Sequence, residues 1–310
     1  MATSWSHIIS FLDFCGTRRR GPRSYLKRVE QQASIVYLID EYAQLNRKIN
    51  DPRQGGSAGQ VKKYLLEYFS TAHSVFLRAD YASETGKPIH NPNLCLYGTT
   101  TPDDFWDSCS TMSAKDGYLP RLLAFTHQTK EFVAPIFDGL ASTSEPPQSL
   151  IDACRAIMTP KGAGNVGAAM AWSGEQSFSA YVVPYGPGAK EAYENFYIEY
   201  ARKAHNASPF RRAFLRRVNE HAIKIALVVA VGVDPENPVI TLEILRLGQK
   251  IATLCVEYMM REAAGNLADN EAQRQFKMVK AMIDKAPEQR ILRSAITKRV
   301  NGAFDGRPKR

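Results

Sequence analysis

A chain of 310 residues, 44% hydrophobic and 23% charged, has the composition of a globular protein and a length suited to about two domains, each burying its own core. Its formal net charge of +9 is concentrated at one end: from Arg274 to Arg310 eleven Lys/Arg stand against three acids, a net of +8 that suits contact with phosphate backbones. No apolar run reaches the ~20 residues of a bilayer span. The five cysteines, at 15, 95, 109, 154 and 255, are scattered without a Cys-x-x-Cys pair, and the six histidines are equally dispersed, which argues against a disulfide framework or a zinc site.

The N-terminal apolar patch (Ile8, Ile9, Phe11, Leu12) has no basic region before it and no cleavage site after it, so it is not read as a secretory signal. The expected location is the cytoplasm. A basic cluster follows (Arg18, Arg19, Arg20, Arg23, Lys27, Arg28), then the short, β-branched run 34–39, which ends in Asp40 and Glu41. A run that is continuous rather than alternating predicts a central strand of a parallel sheet, buried on both faces. Residues 51–60 are a loop by composition. Val61, Leu65, Leu66 and Phe69 recur at helical spacing.

Residues 74–77 suggest a short strand, followed by a polar, hairpin-like stretch to His90. Residues 94–98 form a second buried-strand pattern. Three threonines (Thr99, Thr100, Thr101) follow, and Pro102 opens a predicted helix over 102–113 with Thr101 as its N-cap. This strand–helix alternation indicates an α/β layer architecture. Residues 135–190 are rich in Pro, Gly and Ser, whereas 190–262 read as largely helical, with a turn at 234–238 and a cap at Thr241. The basic end carries two short amphipathic segments, one with Phe276, Val279, Met282 and Ile283, the other with Ile291, Leu292, Ile296 and Val300. Together they resemble the beginning of a helix-turn-helix or winged helix.

An acid at the tip of a buried strand is where a P-loop ATPase holds Mg²⁺, because the triphosphate lies across the carboxyl edge of the sheet. Asp40 fits that place. Glu41, one residue on, would point elsewhere and could polarise an attacking water. Thr99 or Thr100, at the end of the next strand, could sense the γ-phosphate. Arg121, after the turn 116–120, could stabilise charge on the transferring phosphoryl, within its own subunit or on a neighbour. The plainer readings are an N-cap for Thr101 and a surface ion pair for Arg121.

The order of 35–41 (IVYLIDE), 91–105 (NPNLCLYGTTTPDDF) and 116–121 (DGYLPR) resembles a family of helicase-like P-loop ATPases. These occur in phage, plasmid and other mobile-element replication proteins and are catalogued as a domain of unknown function. The resemblance continues through the helical stretch 217–230, where Glu220, Ala222 and Ala226 are similar to an apolar helix of the family. It implies a fold of the α/β class: a partial RecA-like P-loop ATPase core with parallel strands over 1–130 and an irregular connection over 131–190. A helical region over 191–265 and a truncated, winged-helix-like basic end over 266–310 complete it. It also implies ATP and Mg²⁺ as cofactors, with Asp40 as the metal residue and Glu41, Thr99, Thr100 and Arg121 in catalytic roles. DNA, single-stranded or forked, is the implied partner. Homo-oligomer formation is left open, and no membrane partner is expected.

One part of the pattern is missing. The phosphate-gripping loop Gly-x-x-x-x-Gly-Lys-[Ser/Thr] supplies backbone amides and a lysine to the β- and γ-phosphates. Gly16 and Gly21 have its spacing, but Pro22 and Arg23 stand at the Lys and Ser/Thr places. Proline offers neither an amide donor nor an ammonium. The stretch 162–167 (GAGNVG) matches a dinucleotide fingerprint, but it follows a helix-like segment ending in Pro160, so a loop is the expectation.

Two functions therefore stand side by side. One is an ATP-driven, helicase-like motor acting in replication, represented by a fragment or degenerate chain not expected to hydrolyse ATP alone. The other is a non-catalytic nucleic-acid-binding accessory protein, with Lys298, Arg299, Arg307, Lys309 and Arg310 as candidate phosphate contacts.

Overall fold

The computed structural model describes residues 8–10, 34–50, 57–72, 74–77, 88–126, 146–158, 182–267 and, within 276–296, all but 277, 281 and 285. It is a mixed α/β structure. A three-stranded parallel sheet is formed by β1 (Ile8–Ser10), β2 (Ser34–Ile39) and β5 (Asn93–Gly98), in the order β1-β2-β5. The run that ends in Asp40 is the central strand, as its β-branched composition predicts. Val36 pairs with Ile8 on one side and with Cys95 on the other. Ser10 lies opposite Leu38, so the chain leaves β1 at the same carboxyl edge that Asp40 and Thr99 occupy.

Burial on both faces of β2 is not what the structure shows. Ile35, Tyr37 and Ile39 are buried at 5% exposure or less, whereas Val36 and Leu38 are each 41% exposed. The buried face packs with α1 (Tyr42–Asn50) and α2 (Ser57–Tyr68), through Leu45, Ile49, Val61, Tyr64 and Tyr68. The same core takes in Phe76 and Ile89 from an antiparallel hairpin, β3 (Val75–Leu77) with β4 (Pro88–His90). One covered face is enough to impose the strict alternation seen along the strand.

After β5 the predicted helix 102–113 is two helices, α3 (Pro102–Asp107) and α4 (Thr111–Lys115). Two short-range hydrogen bonds mark the break. The Ser108 hydroxyl donates back to the Phe105 carbonyl (2.6 Å), and the Ser110 hydroxyl accepts from the Ser113 amide to begin a new helix. Thr101 caps α3, accepting from the Asp104 amide, and Pro102 occupies the first turn. A 3-10 turn, Leu119–Arg121, follows.

Within the Gly/Pro-rich stretch lies α5 (Gln148–Met158). The helical region comprises α6 (Ala189–His205), α7 (Pro209–Leu215), α8 (Val218–Val233) and α9 (Leu242–Asn266). Thr241 caps α9 as expected, accepting from the Ile244 amide. Asp234 Oδ1 accepts from the amides of Glu236 and Asn237 in the turn before it. Helices α8 and α9 pack backbone to backbone: Gly248 meets Ala222 and Ala226, and Ala230 and Ala252 are buried beside them on the same two helices. Trp106 of α3, Ala114 of α4 and Leu119 of the 3-10 turn join the core of this bundle with Phe214, Val218, Val256 and Met259. Between 276 and 296 the described residues form short helical pieces, with Phe276 and Leu292 exposed. No helix among the described residues is long and apolar enough to cross a membrane.

Candidate functional site

The carboxyl ends of β2 and β5 are stitched together residue by residue. The Thr99 amide donates to the Ile39 carbonyl (2.9 Å), and the Tyr42 amide donates to the Thr99 carbonyl (2.8 Å). Between these bonds the Thr99 hydroxyl donates to Asp40 Oδ1 at 2.8 Å. The Glu41 amide donates to the same oxygen at 2.9 Å. One carboxylate oxygen thus takes two hydrogen bonds that fix its direction at the sheet edge.

Glu41 has φ = 52°, in the left-handed region where a residue with a Cβ costs about 1–2 kcal/mol. The turn it makes sends the chain from β2 into α1 while keeping its amide on Asp40. Its own carboxylate accepts from the Gln44 side-chain amide, so it lies along the first turn of α1. Asp40, Glu41, Thr99 and Thr100 are all exposed. The structure therefore brings Asp40 and Thr99 into contact, sets Glu41 beside them, and leaves Thr100 open to solvent.

Just beneath this edge lies a rigid aromatic floor. A Cβ on Gly98 would stand 2.9 Å from the Tyr42 ring, so glycine is what lets that ring close under the strand end. The hydroxyls of Tyr42 and Tyr118 share a buried hydrogen bond. Burial raises both phenols well above their ordinary pKa; their mutual hydrogen bond opposes the rise at Tyr42 and adds to it at Tyr118.

Behind them runs a polar network. Asn46, fully buried, donates to Ser108 Oγ (2.8 Å) and Cys109 Sγ (3.2 Å) and accepts from Asn50 (2.8 Å). Asn50 Oδ1 accepts in turn from Lys62 Nζ (2.7 Å) and the Ser113 hydroxyl (2.9 Å). Lys62 pairs with Asp116 at 2.5 Å. Burial pushes the Cys109 thiol up to about 11, which leaves it protonated and unreactive at neutral pH.

Within this chain Arg121 lies away from the sheet edge, on the turn before the bundle. Gly117, at φ = 83°, allows the turn, and Arg121 Nη1 folds back to donate to the Gly117 carbonyl (2.8 Å). The guanidinium then lies over the Phe69 ring, 5.5 Å from its centroid. Among the described residues no contact joins it to Asp40, Glu41, Thr99 or Thr100. Arg217 and Lys224, from the start and middle of α8, approach the same ring at 5.9 and 3.4 Å. Glu220 accepts from Arg217 (2.7 Å), Lys224 (3.0 Å) and the Ser70 hydroxyl (3.2 Å). Burial would raise Glu220, but the hydrogen bonds from Lys224 and Arg217 prevail and hold it low. His221 meets the ring edge-on and donates from Nε2 to the Pro120 carbonyl at 3.0 Å.

This junction between the sheet core and the bundle was not foreseen, although spacing carried a hint of it. Arg217, Glu220 and Lys224 fall at i, i+3 and i+7, one face of a helix. Phe69 read only as the last apolar position of an amphipathic helix.

The residues at the sheet edge fit a divalent cation only of the sparsely ligated kind. Mg²⁺ keeps several waters and is held by one or two carboxylates together with the phosphates of its substrate. Asp40, fixed through one oxygen and exposed, can serve as that carboxylate. No group of three or more His, Cys, Asp or Glu that could hold a metal by itself occurs among the described residues. The two glycines at 16 and 21 with Pro22 and Arg23, the loop 162–167, and the cations Lys298, Arg299, Arg307, Lys309 and Arg310 lie outside the described residues. Compared with known proteins, the chain matches no family model, no curated protein and no solved structure.

Proposed function

We propose that this chain is a helicase-like P-loop ATPase core, in a fragment or degenerate form, that engages a magnesium nucleotide at the edge formed by Asp40 and Thr99 and works on nucleic acid in replication. The observation that carries the reading is the hydrogen bond from Thr99 to Asp40 across the ends of two adjacent parallel strands. Ligands of open α/β sheets bind outside the carboxyl ends of the strands, where such side chains converge. In this reading Asp40 holds the cation through its remaining oxygen. Thr99 keeps the carboxylate aimed, and Glu41 orients a water from the first turn of α1. Bound Mg²⁺ would supply neutralisation of the phosphate charge. Arg121 of the same chain does not reach this edge.

The test is equilibrium binding of a fluorescent ATP analogue to the full chain, with and without Mg²⁺. Asp40→Asn is expected to lower the magnesium-dependent affinity at least ~10-fold, while Glu41→Gln leaves binding intact. Wild-type protein that ignores the magnesium nucleotide, or an Asp40→Asn variant that binds it equally well, rejects the reading.

The second reading, a nucleic-acid-binding accessory protein without catalysis, draws support from an aromatic ladder. Tyr185, Tyr193 and Tyr197 follow one another at ring-centroid spacings of 6.1 and 6.4 Å, with Tyr197 half exposed. Such a row offers faces on which unpaired bases stack, each worth ~1–3 kcal/mol. Binding of oligothymidylate that survives Asp40→Asn and fails in a Tyr193→Ala/Tyr197→Ala double variant would favour it over the first.

A further inference from the structure

The cations around Phe69 are out of balance with the acids around them. Arg121, Arg217 and Lys224 converge on one ring, and Glu220 is the carboxylate that answers them. Asp116, the next acid along, is paired with Lys62. Glu220 is in turn shared between Arg217 and Lys224, so Arg121 is left with a single backbone carbonyl, that of its own turn. Its Nε is buried and has no hydrogen-bond partner among the described residues. A buried donor without an acceptor costs ~1–3 kcal/mol and calls for an explanation, an absent ion being one of the ordinary ones. The side chains of Arg217 and Lys224 are 28% and 43% exposed, so the cluster is open to a ligand on the α8 side.

We infer that Arg121, Arg217 and Lys224, gathered over Phe69, form an anion site for a phosphate group. Lys224 and Arg217 meet the phosphate from the solvent side. The Nε edge of Arg121, the edge not turned to the Gly117 carbonyl, swings to it as a second, bidentate donor. Phe69 lies within 5.9 Å of all three cations, and its ring quadrupole lowers the cost of assembling like charges. Glu220 keeps the empty site from being over-charged and is displaced from Lys224 when the phosphate enters. The site stands on α8 and the 119–121 turn, not on the Asp40 edge, and does not rest on nucleotide hydrolysis. The phosphate can belong to a nucleotide or to a nucleic-acid strand, since the chemistry is common to both.

The test uses the full chain in EDTA, so that no divalent cation engages Asp40, at constant ionic strength. Pyrophosphate, ATP and a 20-residue oligothymidylate are titrated separately, with affinity read by calorimetry and thermal shift. Wild-type protein is expected to bind at least one of them. Lys224→Gln should weaken that binding about tenfold, and Glu220→Gln should tighten it severalfold, because it removes the competing negative charge. A response to pyrophosphate and ATP assigns the nucleotide as source; a response to the oligonucleotide alone assigns the strand. A mere structural brace would give destabilisation in both variants and opposite shifts in neither. No binding of any of the three by wild-type protein, or binding unchanged in both variants, overturns the inference. Because EDTA leaves no divalent cation for the Asp40 edge, binding in this experiment reports the cation cluster alone, and failure here is read separately from failure of the magnesium site.

Discussion

Thr99 and Asp40, 59 residues apart, meet through a 2.8 Å hydrogen bond at the open edge of the sheet, and the same Asp40 oxygen takes the Glu41 amide. The bond is exposed, so its contribution to stability is small. Its consequence is orientation. Thr99→Val keeps the branched shape and removes only the donor. It is expected to change unfolding free energy by less than ~1 kcal/mol while weakening magnesium-nucleotide binding about fivefold; Thr99→Ser should restore most of it. Equal affinities for the valine and serine variants would sever Thr99 from ligand binding.

Gly248 sits where α9 crosses α8. A Cβ there would stand 2.4 Å from the Ala222 carbonyl oxygen and 3.1 Å from the Ala226 amide nitrogen, both backbone atoms that cannot swing aside. Alanine normally gains ~1 kcal/mol over glycine in a helix interior. Here overpacking outweighs that gain. Gly248→Ala should lose about 1–3 kcal/mol in urea unfolding, and Gly248→Val more. A stabilised alanine variant would show that the two helices are further apart than described.

Asn46 is the hub of the polar network behind the sheet edge. Asn46→Ala leaves the Asn50 amide with only the longer bond to the Ser108 carbonyl (3.4 Å), and it deprives the Ser108 hydroxyl and Cys109 of their donor beside a buried position. The expected cost is about 2–4 kcal/mol, read from denaturant midpoints. Asn46→Ser, which keeps one polar atom, should cost less.

His221 makes the fold sensitive to acid. Burial lowers its pKa below the ordinary 6.5; the hydrogen bond to the Pro120 carbonyl and the Glu220 carboxylate oppose this, and Lys224 and Arg217 reinforce it. The folded protein thus keeps His221 neutral, while the unfolded chain takes up a proton below pH 6.5. Above that pH both states are neutral and the group is silent. As pH falls through 6.5 the unfolded state binds more protons, and stability declines by at most ~1.4 kcal/mol per pH unit from this residue. His221→Gln should flatten the stability profile between pH 6.5 and 5. An unchanged slope would place the acid sensitivity elsewhere.

The β-branched run 34–39 marked the central strand because continuous apolar sequence of that length has few other solutions, and the three threonines with Pro102 marked the next helix start because capping chemistry is local. Thr241 and the 234–238 turn were legible for the same reason. The two-helix break at Ser108–Ser110 was not, since it depends on a serine bonding back to Phe105 while Asn46, 62 residues away, holds its hydroxyl. The exposed face of β2 escaped detection as well: apolar composition says that a strand prefers burial, not which of its faces the neighbouring helices reach.

What the sequence by itself determined is the set of local signals: the strands, the caps, the acid at a strand end, and the placement of charge along the chain. What only the tertiary structure decided is which of those signals meet. Thr99 rather than Thr100 touches Asp40, because β5 pairs with β2 in a register that sets Gly98 against Ile39. Arg121 faces Phe69, Arg217 and Lys224 instead of the sheet edge, because Gly117 turns the chain and the guanidinium folds back onto its carbonyl. Spacing along a chain fixes which neighbours a residue has within a turn or two of helix or strand. Contacts between residues 50 to 150 positions apart depend on how the elements pack, and those contacts make the sheet edge and the cation cluster.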